Sequence, residues 1–145
     1  MKIGSEEQLK TLLRTRGLRF TPDRLRVFRA LADTPQPLSV PALINIVAPD
    51  GVNQATVYRT VEQFLALAVV QTVLLHDGVV GYELVPPFSS HHHHFICLDC
   101  GNVQDLPADR VDSALTKSLQ GLGLKAVGHK VDIYGQCEKC HEDTD

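Results

Sequence analysis

The sequence predicts an α+β protein of two small domains, an N-terminal winged helix-turn-helix domain and a C-terminal α/β domain. Three observations lead to this fold class. Helical patterns run from the N-terminus into a β-hairpin, a Pro-Pro dipeptide follows the hairpin, and all four cysteines come later in two Cys-x-x-Cys pairs. A chain of 145 residues can form one ordinary domain or two small ones. We expect domains over residues 1–85 and 89–145, with residues 86–88 as the linker.

The first two helices are predicted from their start and stop signals. Ser5 with Gln8 three residues later forms a capping box, and Gly17 can end a helix, so the first helix should span about residues 6–16. Thr21 and Pro22 suit the N-cap and the first helical position. The second helix should therefore run from residue 22 to about residue 32.

Two further helices follow a proline-rich break. Ser39 and Asn53 are suitable N-caps for a third helix over residues 40–47 and a fourth over residues 54–67. The fourth helix has an apolar face at helical spacing and a polar face that is left for the outside. The apolar face carries Val57, Val61, Phe64 and Leu65, and the polar face carries Thr56, Tyr58, Arg59 and Gln63.

A β-hairpin is predicted after the fourth helix. Residues 69–75 and 79–84 are rich in β-branched side chains, and the Asp77-Gly78 pair between them is a strong turn signal. Helices followed by such a hairpin are typical of the winged helix, in which the last helix enters the major groove of DNA. Pro86-Pro87 should then form a stiff, extended linker.

The C-terminal half is predicted to contain strands over residues 92–98, 102–106 and 125–134, and a helix over residues 110–119 that ends at a glycine-rich stop. Alternation places four residues on one face of the last strand, namely Val127, His129, Val131 and Ile133. A β-α-β unit of this size has exposed strand edges and a modest core, so we expect it to dimerise. The charged tail over residues 141–145 should be disordered.

Charge is distributed unevenly along the chain. Residues 1–66 carry a balance of +3 and residues 67–145 a balance of −6, which together give the net charge of −3. A basic N-terminal half indicates an anionic partner such as nucleic acid, whereas an acidic, histidine-rich half suits cations. The chain has no apolar run long enough to cross a membrane and no apolar signal core at its start, so we expect a cytoplasmic protein.

The four cysteines are grouped for metal binding. Cys97 and Cys100 form one Cys-x-x-Cys pair, and Cys137 and Cys140 form the other. Four thiolates complete a tetrahedral structural zinc site. Two disulfides or four unrelated buried thiols are the alternatives, but a reducing cytosol favours the metal.

Four consecutive histidines precede the first cysteine pair. If residues 91–97 form a strand, alternation directs His91 and His93 to one face and His92 and His94 to the other. The run therefore predicts two separate metal sites, with a solvated polar strand edge as the alternative.

These motifs together resemble the ferric uptake regulator family of bacterial metal-responsive repressors over nearly the whole chain. The matching segments are residues 17–24 (Gly-Leu-Arg-Phe-Thr-Pro-Asp-Arg), 55–60 (Ala-Thr-Val-Tyr-Arg-Thr), 91–101 with the histidines and the first cysteine pair, and His129 upstream of residues 134–137 (Tyr-Gly-Gln-Cys). The resemblance implies a homodimer that represses transcription by closing its winged helices onto a palindromic DNA operator when a divalent metal binds. It also implies that Arg19, Thr56, Tyr58 and Arg59 contact DNA.

The resemblance further implies a role for each candidate ligand. Cys97, Cys100, Cys137 and Cys140 correspond to the structural zinc site. His91, His93, Asp112 and His129 correspond to one further site, and Glu83, His92, His94 and Asp105 to the regulatory hinge site. Iron(II) is the expected regulatory metal, with zinc(II) or manganese(II) possible, because mixed nitrogen and oxygen ligands suit all three. The chain departs from the family at Pro37, where a hinge histidine often stands.

Other functions also account for parts of this sequence. A zinc uptake regulator or a peroxide-sensing regulator of the same family would have much the same sequence. A zinc-ribbon adaptor or metal-storage module would explain the cysteines but not the basic helical half. A metallohydrolase is disfavoured because the chain lacks a His-Glu-x-x-His helix and a nucleophile-base pattern. We expect no enzyme activity, no membrane partner and no small organic substrate.

Overall fold

The computed structural model of the chain describes residues 3–142, with side chains from Ser5 onward. Two compact units can be distinguished. The first extends through Leu74 and resumes over Val79–Ser90, and the second comprises Leu75–Gly78 together with the described residues from His91. Among residues 3–142, no helix has both the length and the apolar character that a membrane crossing requires.

The first unit is built from four helices and a hairpin. The helices are α1 (Ile3–Thr15), α2 (Pro22–Asp33), α3 (Val40–Val47) and α4 (Gln54–Ala66). A short 3-10 turn over Ala48–Asp50 separates α3 from α4. The hairpin pairs β1 (Val70–Leu74) with β2 (Val80–Leu84) in antiparallel register. This is the winged helix-turn-helix arrangement that the sequence predicts.

Side-chain caps start three of these helices as predicted. Thr21 Oγ1 accepts from the Arg24 backbone N–H at 3.3 Å, and Pro22 is the first residue of α2. Ser39 caps α3 and Asn53 caps α4 in the same way, through acceptor distances of 3.2 and 2.9 Å. Each cap satisfies a backbone donor that the first helical turn leaves without a partner.

The apolar core of the first unit includes side chains from all four helices and from the hairpin. Phe28 and Phe64 are fully buried and meet edge to face, with ring centroids 6.5 Å apart.

An isolated bridge between Leu38 and Tyr82 attaches the segment before α3 to β2. The wing turn has positive φ at both Asp77 and Gly78, as the Asp-Gly signal predicts.

Three local predictions for the first unit are wrong. The helix α1 already includes Ser5, which is buried, so Ser5 is not its N-cap. Leu65 is 44% exposed, because Thr60 rather than Leu65 completes the buried face of α4. The Pro86-Pro87 segment is a turn rather than an extended spacer, since the Phe88 N–H donates to the Val85 carbonyl at 2.9 Å.

The second unit contains a three-stranded sheet in the order β4-β3-β5. Its strands are β3 (His93–Cys97), β4 (Val103–Leu106) and β5 (Asp132–Gly135), and its helices are α5 (Ala108–Leu119) and α6 (Glu138–Glu142). The strand β3 pairs antiparallel with β4 and parallel with β5. The helix α5 lies in the connection between the two parallel strands, so the predicted β-α-β unit is present.

The last strand is shorter than predicted. Alternation suggested a strand over residues 125–134, whereas β5 begins only at Asp132. Val127, which was expected to share one face of this strand with His129, Val131 and Ile133, lies outside β5 and is 98% exposed. The predicted disordered tail is partly helical, because α6 includes His141 and Glu142, and the rest of that tail lies outside the described residues.

Few apolar side chains are buried in the second unit. Its buried hydrophobic residues, within the described chain, are Ile96, Cys97, Val103 and Cys137. The amphipathic helix α5 contributes no buried residue. Apolar burial alone therefore stabilises this unit weakly, and other interactions must supplement it.

Candidate metal centres and nucleic-acid face

Strand pairing brings the two cysteine pairs together. Cys97 ends β3, and Gly101, with a φ of +77°, turns the chain so that its N–H donates to the Cys97 carbonyl at 3.0 Å. Cys97 lies opposite Gly135 in the parallel β3–β5 register, so the second pair emerges from β5 beside the first. A glycine is suited to the turn because its φ is positive.

The four sulfur atoms form one cluster within which no two lie more than 4.8 Å apart. The Cys100 and Cys137 sulfurs are separated by 3.7 Å. Zinc–sulfur bonds of about 2.3 Å in a tetrahedron place sulfurs roughly 3.8 Å apart, so the spacing fits a zinc ion. It does not fit a disulfide between these two residues, in which the sulfurs would be about 2.05 Å apart.

The cluster already favours a thiolate at one position. Backbone N–H groups of Cys100 and then Cys137 lower the pKa of Cys97 to about 6. The Cys137 N–H lies 3.4 Å from the Cys97 sulfur. Since the thiolate is the form that binds metal, these donors prepare Cys97 as a ligand.

A second cluster combines three imidazoles with one carboxylate. His91, His93, Asp112 and His129 each offer a ligand atom within the same 4.8 Å limit. The Nε2 atoms of His93 and His129 lie 2.8 and 2.6 Å from Asp112 Oδ1, and the Nε2 atoms of His91 and His129 lie 3.1 Å apart. All three imidazoles therefore present Nε2 to one point, which is the arrangement that a divalent cation requires.

Asp112 is held as a carboxylate in this cluster. Hydrogen bonds from His93, then His129 and His91, lower the pKa of Asp112 to about 2, against the opposing effect of desolvation. The four residues come from the segment before β3, from β3 itself, from α5 and from the segment before β5. A bound cation would therefore join the separate elements of the second unit.

The other two histidines are His92, which directly precedes β3, and His94 on β3. Their ring centroids are 4.8 Å apart, and those of His91 and His93 are 4.7 Å apart, so the histidines divide into pairs as alternation predicts. His94 is 1% exposed. Asp105 lies opposite His94 in the β3–β4 register but is exposed and belongs to neither histidine cluster.

Glu83 lies in the first unit, on β2, and is 7% exposed. Its carboxylate accepts a hydrogen bond of 2.7 Å from Gln71 Nε2, across the β1–β2 pair. The hydrogen bond orients the carboxylate and offsets part of the cost of burying it.

Sequence reasoning missed Asp132. Its Oδ1 lies 3.0 Å from His94 Nδ1, and its position in the parallel register is directly opposite His94. Alternation contained a signal, because Asp132 lies between Val131 and Ile133 and so on the opposite face of the strand from both. The partner strand could not be identified from that pattern alone.

The predicted DNA-contacting residues lie on the surface of the first unit. Tyr58 is 44% exposed, and Arg59 and Arg19 are exposed, whereas their helical neighbours Val57 and Val61 are buried. A depression between α4 and the start of α2 is lined by Thr21, Asp23, Arg24, Thr56, Arg59, Thr60 and Gln63. This depression combines the N-terminus of α2 with the Arg59 guanidinium, and both groups are suited to binding phosphate.

Comparisons with known proteins agree with this geometry. The model of the Ferric uptake regulator family matches residues 15–134. The ferric uptake regulation protein of Yersinia pestis is 32% identical over 136 residues, which cover 90% of each chain.

Solved structures agree in fold. The Helicobacter pylori ferric uptake regulator Fur, which has three functional metal binding sites, superposes with a TM-score of 0.80 at 20% identity and covers 95% of this chain and 92% of its own. A zinc-bound manganese uptake regulator gives a TM-score of 0.67 at 30% identity, covering 89% of this chain and 98% of its own.

Proposed function

Because this chain belongs to the ferric uptake regulator family of metal-responsive transcription regulators, we propose that it is a cytoplasmic repressor. It binds a palindromic operator as a homodimer when it is loaded with a divalent metal, and iron(II) is the preferred assignment for that metal. It is a regulator and not an enzyme.

One observation carries the proposal. The second unit, which buries few apolar side chains, holds four thiols in one cluster and three imidazoles with a carboxylate in another, and the same chain presents an exposed polar helix face in its first unit. Candidate metal ligands and a candidate DNA-binding face therefore occur in one molecule. A zinc-ribbon adaptor or a metal-storage module would need only the first of these features.

We assign the metals by donor type. Thiolates suit zinc(II), so Cys97, Cys100, Cys137 and Cys140 hold a structural zinc ion that supports folding. Nitrogen and oxygen donors suit iron(II), manganese(II) and zinc(II) alike. The two histidine sites take these metals, the first through His91, His93, Asp112 and His129 and the regulatory one through His92 and His94 with Glu83. We add Asp105 to the regulatory set because it lies opposite His94 in the β3–β4 register, although it is outside the cluster itself.

Iron(II) is preferred over the alternatives because the similar Yersinia pestis protein is a ferric uptake regulation protein. Manganese(II) and zinc(II) remain competing metals, because a zinc-bound manganese uptake regulator is 30% identical. The ligand types at these sites do not distinguish among the three metals.

Operator binding is assigned to α4 and to Arg19 in the loop between α1 and α2. Tyr58 and Arg59 contact bases and backbone, since a tyrosine ring packs on a thymine methyl and a guanidinium binds guanine edges or phosphates. Thr56 and Arg19 contribute further contacts, with Arg19 approaching the minor groove. The basic balance of the first 66 residues supports attraction to DNA.

The second unit supports dimerisation. Its sheet ends in β4 on one side and β5 on the other, and both edges can pair with a partner. Several large apolar side chains of this unit are exposed, namely Leu98, Leu122, Leu124, Val127, Ile133 and Tyr134. A second copy of the chain would cover such surface, and the two copies would match the symmetry of a palindromic operator.

Metal-resolved operator binding tests the function. The full chain is titrated onto operator DNA selected from random duplexes, separately in iron(II), manganese(II) and zinc(II), each buffered by a chelator. We expect binding in the presence of the cognate metal and at least 100-fold weaker binding without it. Binding that is equal with and without every metal would remove metal dependence from the proposal.

A further inference from the structure

The strand register places a carboxylate beside one of the proposed regulatory ligands. His94 and Asp132 are direct partners in the parallel β3–β5 pair, and the His94 backbone N–H donates to the Val131 carbonyl at 3.3 Å. Both residues therefore lie on hydrogen-bonded strands rather than on loops. Side chains held on such elements keep their relative positions well.

The side chains of this pair are joined by a hydrogen bond in a sheltered place. His94 Nδ1 lies 3.0 Å from Asp132 Oδ1, with the side chains 1% and 14% exposed. The other oxygen, Oδ2, lies 3.3 Å from Lys130 Nζ. Both oxygens of Asp132 thus have a partner, and the ammonium balances the carboxylate charge.

The hydrogen bond determines which nitrogen of His94 carries the proton. An ionised carboxylate can only accept, so Nδ1 must be the donor. In the neutral imidazole, Nε2 then keeps its lone pair, which is the form that a metal requires. A carboxylate that orients a metal-binding histidine in this way also makes the imidazole a stronger donor to the metal.

We propose that Asp132 is a positioning residue for His94, fixing its ring and its Nδ1–H tautomer so that Nε2 is presented to the metal of the regulatory site. The inference rests on the proposed function for the assignment of His94 as a ligand. Asp132 is not assigned as a ligand, because it belongs to none of the groups of metal-ligating side chains among the described residues.

The tautomer can be read without any metal response. Long-range proton–nitrogen NMR spectra of the full chain, before metal is added, distinguish an imidazole with Nδ1–H from one with Nε2–H. We expect His94 to be the Nδ1–H form in the unmodified chain. A His94 ring found as the Nε2–H form would overturn the proposal, and this measurement needs no variant.

Affinity is then measured at His94 itself. Chelator-buffered zinc(II) is titrated into the chain, and the His94 ring nitrogens report occupancy of this site separately from His91, His93 and His129. We expect Asp132→Asn to mix the two tautomers, since an amide can accept or donate, and to weaken zinc(II) binding at His94 by about 10- to 100-fold. Asp132→Glu should restore much of the affinity, because it keeps the carboxylate.

Asp109→Asn is the matched control, because Asp109 is an exposed carboxyl on α5 outside both histidine clusters. Unchanged zinc(II) affinity in Asp132→Asn, with the Nδ1–H tautomer retained, would overturn the proposal. If the chain binds no operator, the proposed function is wrong. The tautomer and zinc(II) affinity at His94 do not depend on DNA, so those two results would still test the role of Asp132.

Discussion

Asp112 Oδ1 lies 2.6 Å from His129 Nε2 and joins α5 to the segment that precedes β5. The same oxygen is 2.8 Å from His93 Nε2 on β3. One carboxylate oxygen therefore connects α5, β3 and the segment before β5, in a unit in which few apolar side chains are buried. We infer that this cluster holds the unit together.

The first prediction is that this cluster serves stability more than sensing. His129→Ala should lower the melting temperature and weaken the dimer, because it removes a ligand that joins separate elements, while most of the metal-activated operator binding remains. Thermal melting, sedimentation and operator titration measure the three properties. Loss of the metal response with melting and dimerisation intact would reverse the assignment of roles.

The second prediction concerns acid stability of the metal-free chain. The pKa of Asp112 is lowered to about 2 from an ordinary value of 3.8, chiefly by the hydrogen bond from His93. Because the folded value is the lower one, the stabilisation is present above pH 3.8 and is lost as the pH falls toward 2. Asp112→Asn should flatten stability against pH across this window, and Asp109→Asn should not. Equal slopes in the two variants would contradict the prediction.

The third prediction is that Cys137→Ser removes zinc and destabilises the second unit. Zinc binding contributes on the order of 10 kcal/mol to small domains of this kind, which exceeds what the few buried apolar residues can replace. Zinc content, melting and dimerisation are compared with Glu138→Gln, a neighbouring exposed residue that offers no thiolate. If Cys137→Ser keeps its zinc or melts like the unmodified chain, the cluster is not a structural zinc site.

The fourth prediction concerns Arg59. Arg59→Ala should leave the fold intact, because the side chain is exposed. It should weaken operator binding by about 1 to 3 kcal/mol if the guanidinium binds a base edge, or reduce the salt dependence by about one ion if it binds a phosphate. Arg110→Ala, which removes an exposed arginine from α5, is the control. Equal affinities for the two variants would place DNA recognition elsewhere.

The fifth prediction is that Glu83 couples metal binding to operator binding. Pro37 cannot supply a ligand, so Glu83 is the proposed regulatory ligand that belongs to the DNA-binding unit. A metal shifts a conformational equilibrium only through its different affinities for the two states, and a difference of 100-fold corresponds to about 2.7 kcal/mol.

Glu83→Gln is the sharpest variant for this test, because an amide oxygen can still accept from Gln71. It should keep the structural zinc, the dimer and weak metal-free DNA binding, but lose metal-activated binding. Gln71→Ala keeps the carboxylate and should retain the response. Calorimetry and operator titration decide, and an undiminished response in Glu83→Gln would exclude Glu83 as the coupling ligand.

The features that sequence predicted well depend on residues close together in the chain. Thr21, Ser39 and Asn53 cap their helices through backbone groups three residues away. Strand alternation likewise separated the four histidines into two pairs. In each case the deciding interaction is between residues close in sequence, so the local sequence pattern is sufficient to predict the structure.

The misses in the second unit involve partners that are distant in the chain, unlike the local ones in the first unit. The alternating pattern over residues 125–131 does not form a strand, because β-pairing also needs a neighbour with matching register. Asp132 meets His94 across 38 positions of sequence. No periodicity in one segment can identify such a pair, since the parallel register of β3 and β5 creates it.

The strand β3 bears histidines on both of its faces. A shift of this strand by one residue would exchange the faces and deprive both histidine sites of their ligands together. We expect that a metal in one site would restrain the strand and so lower the ordering entropy that the other site must lose on binding. Because such coupling is reciprocal, each metal would alter the affinity of the other by the same factor, and the apparent sensitivity of either site would be a property of the pair.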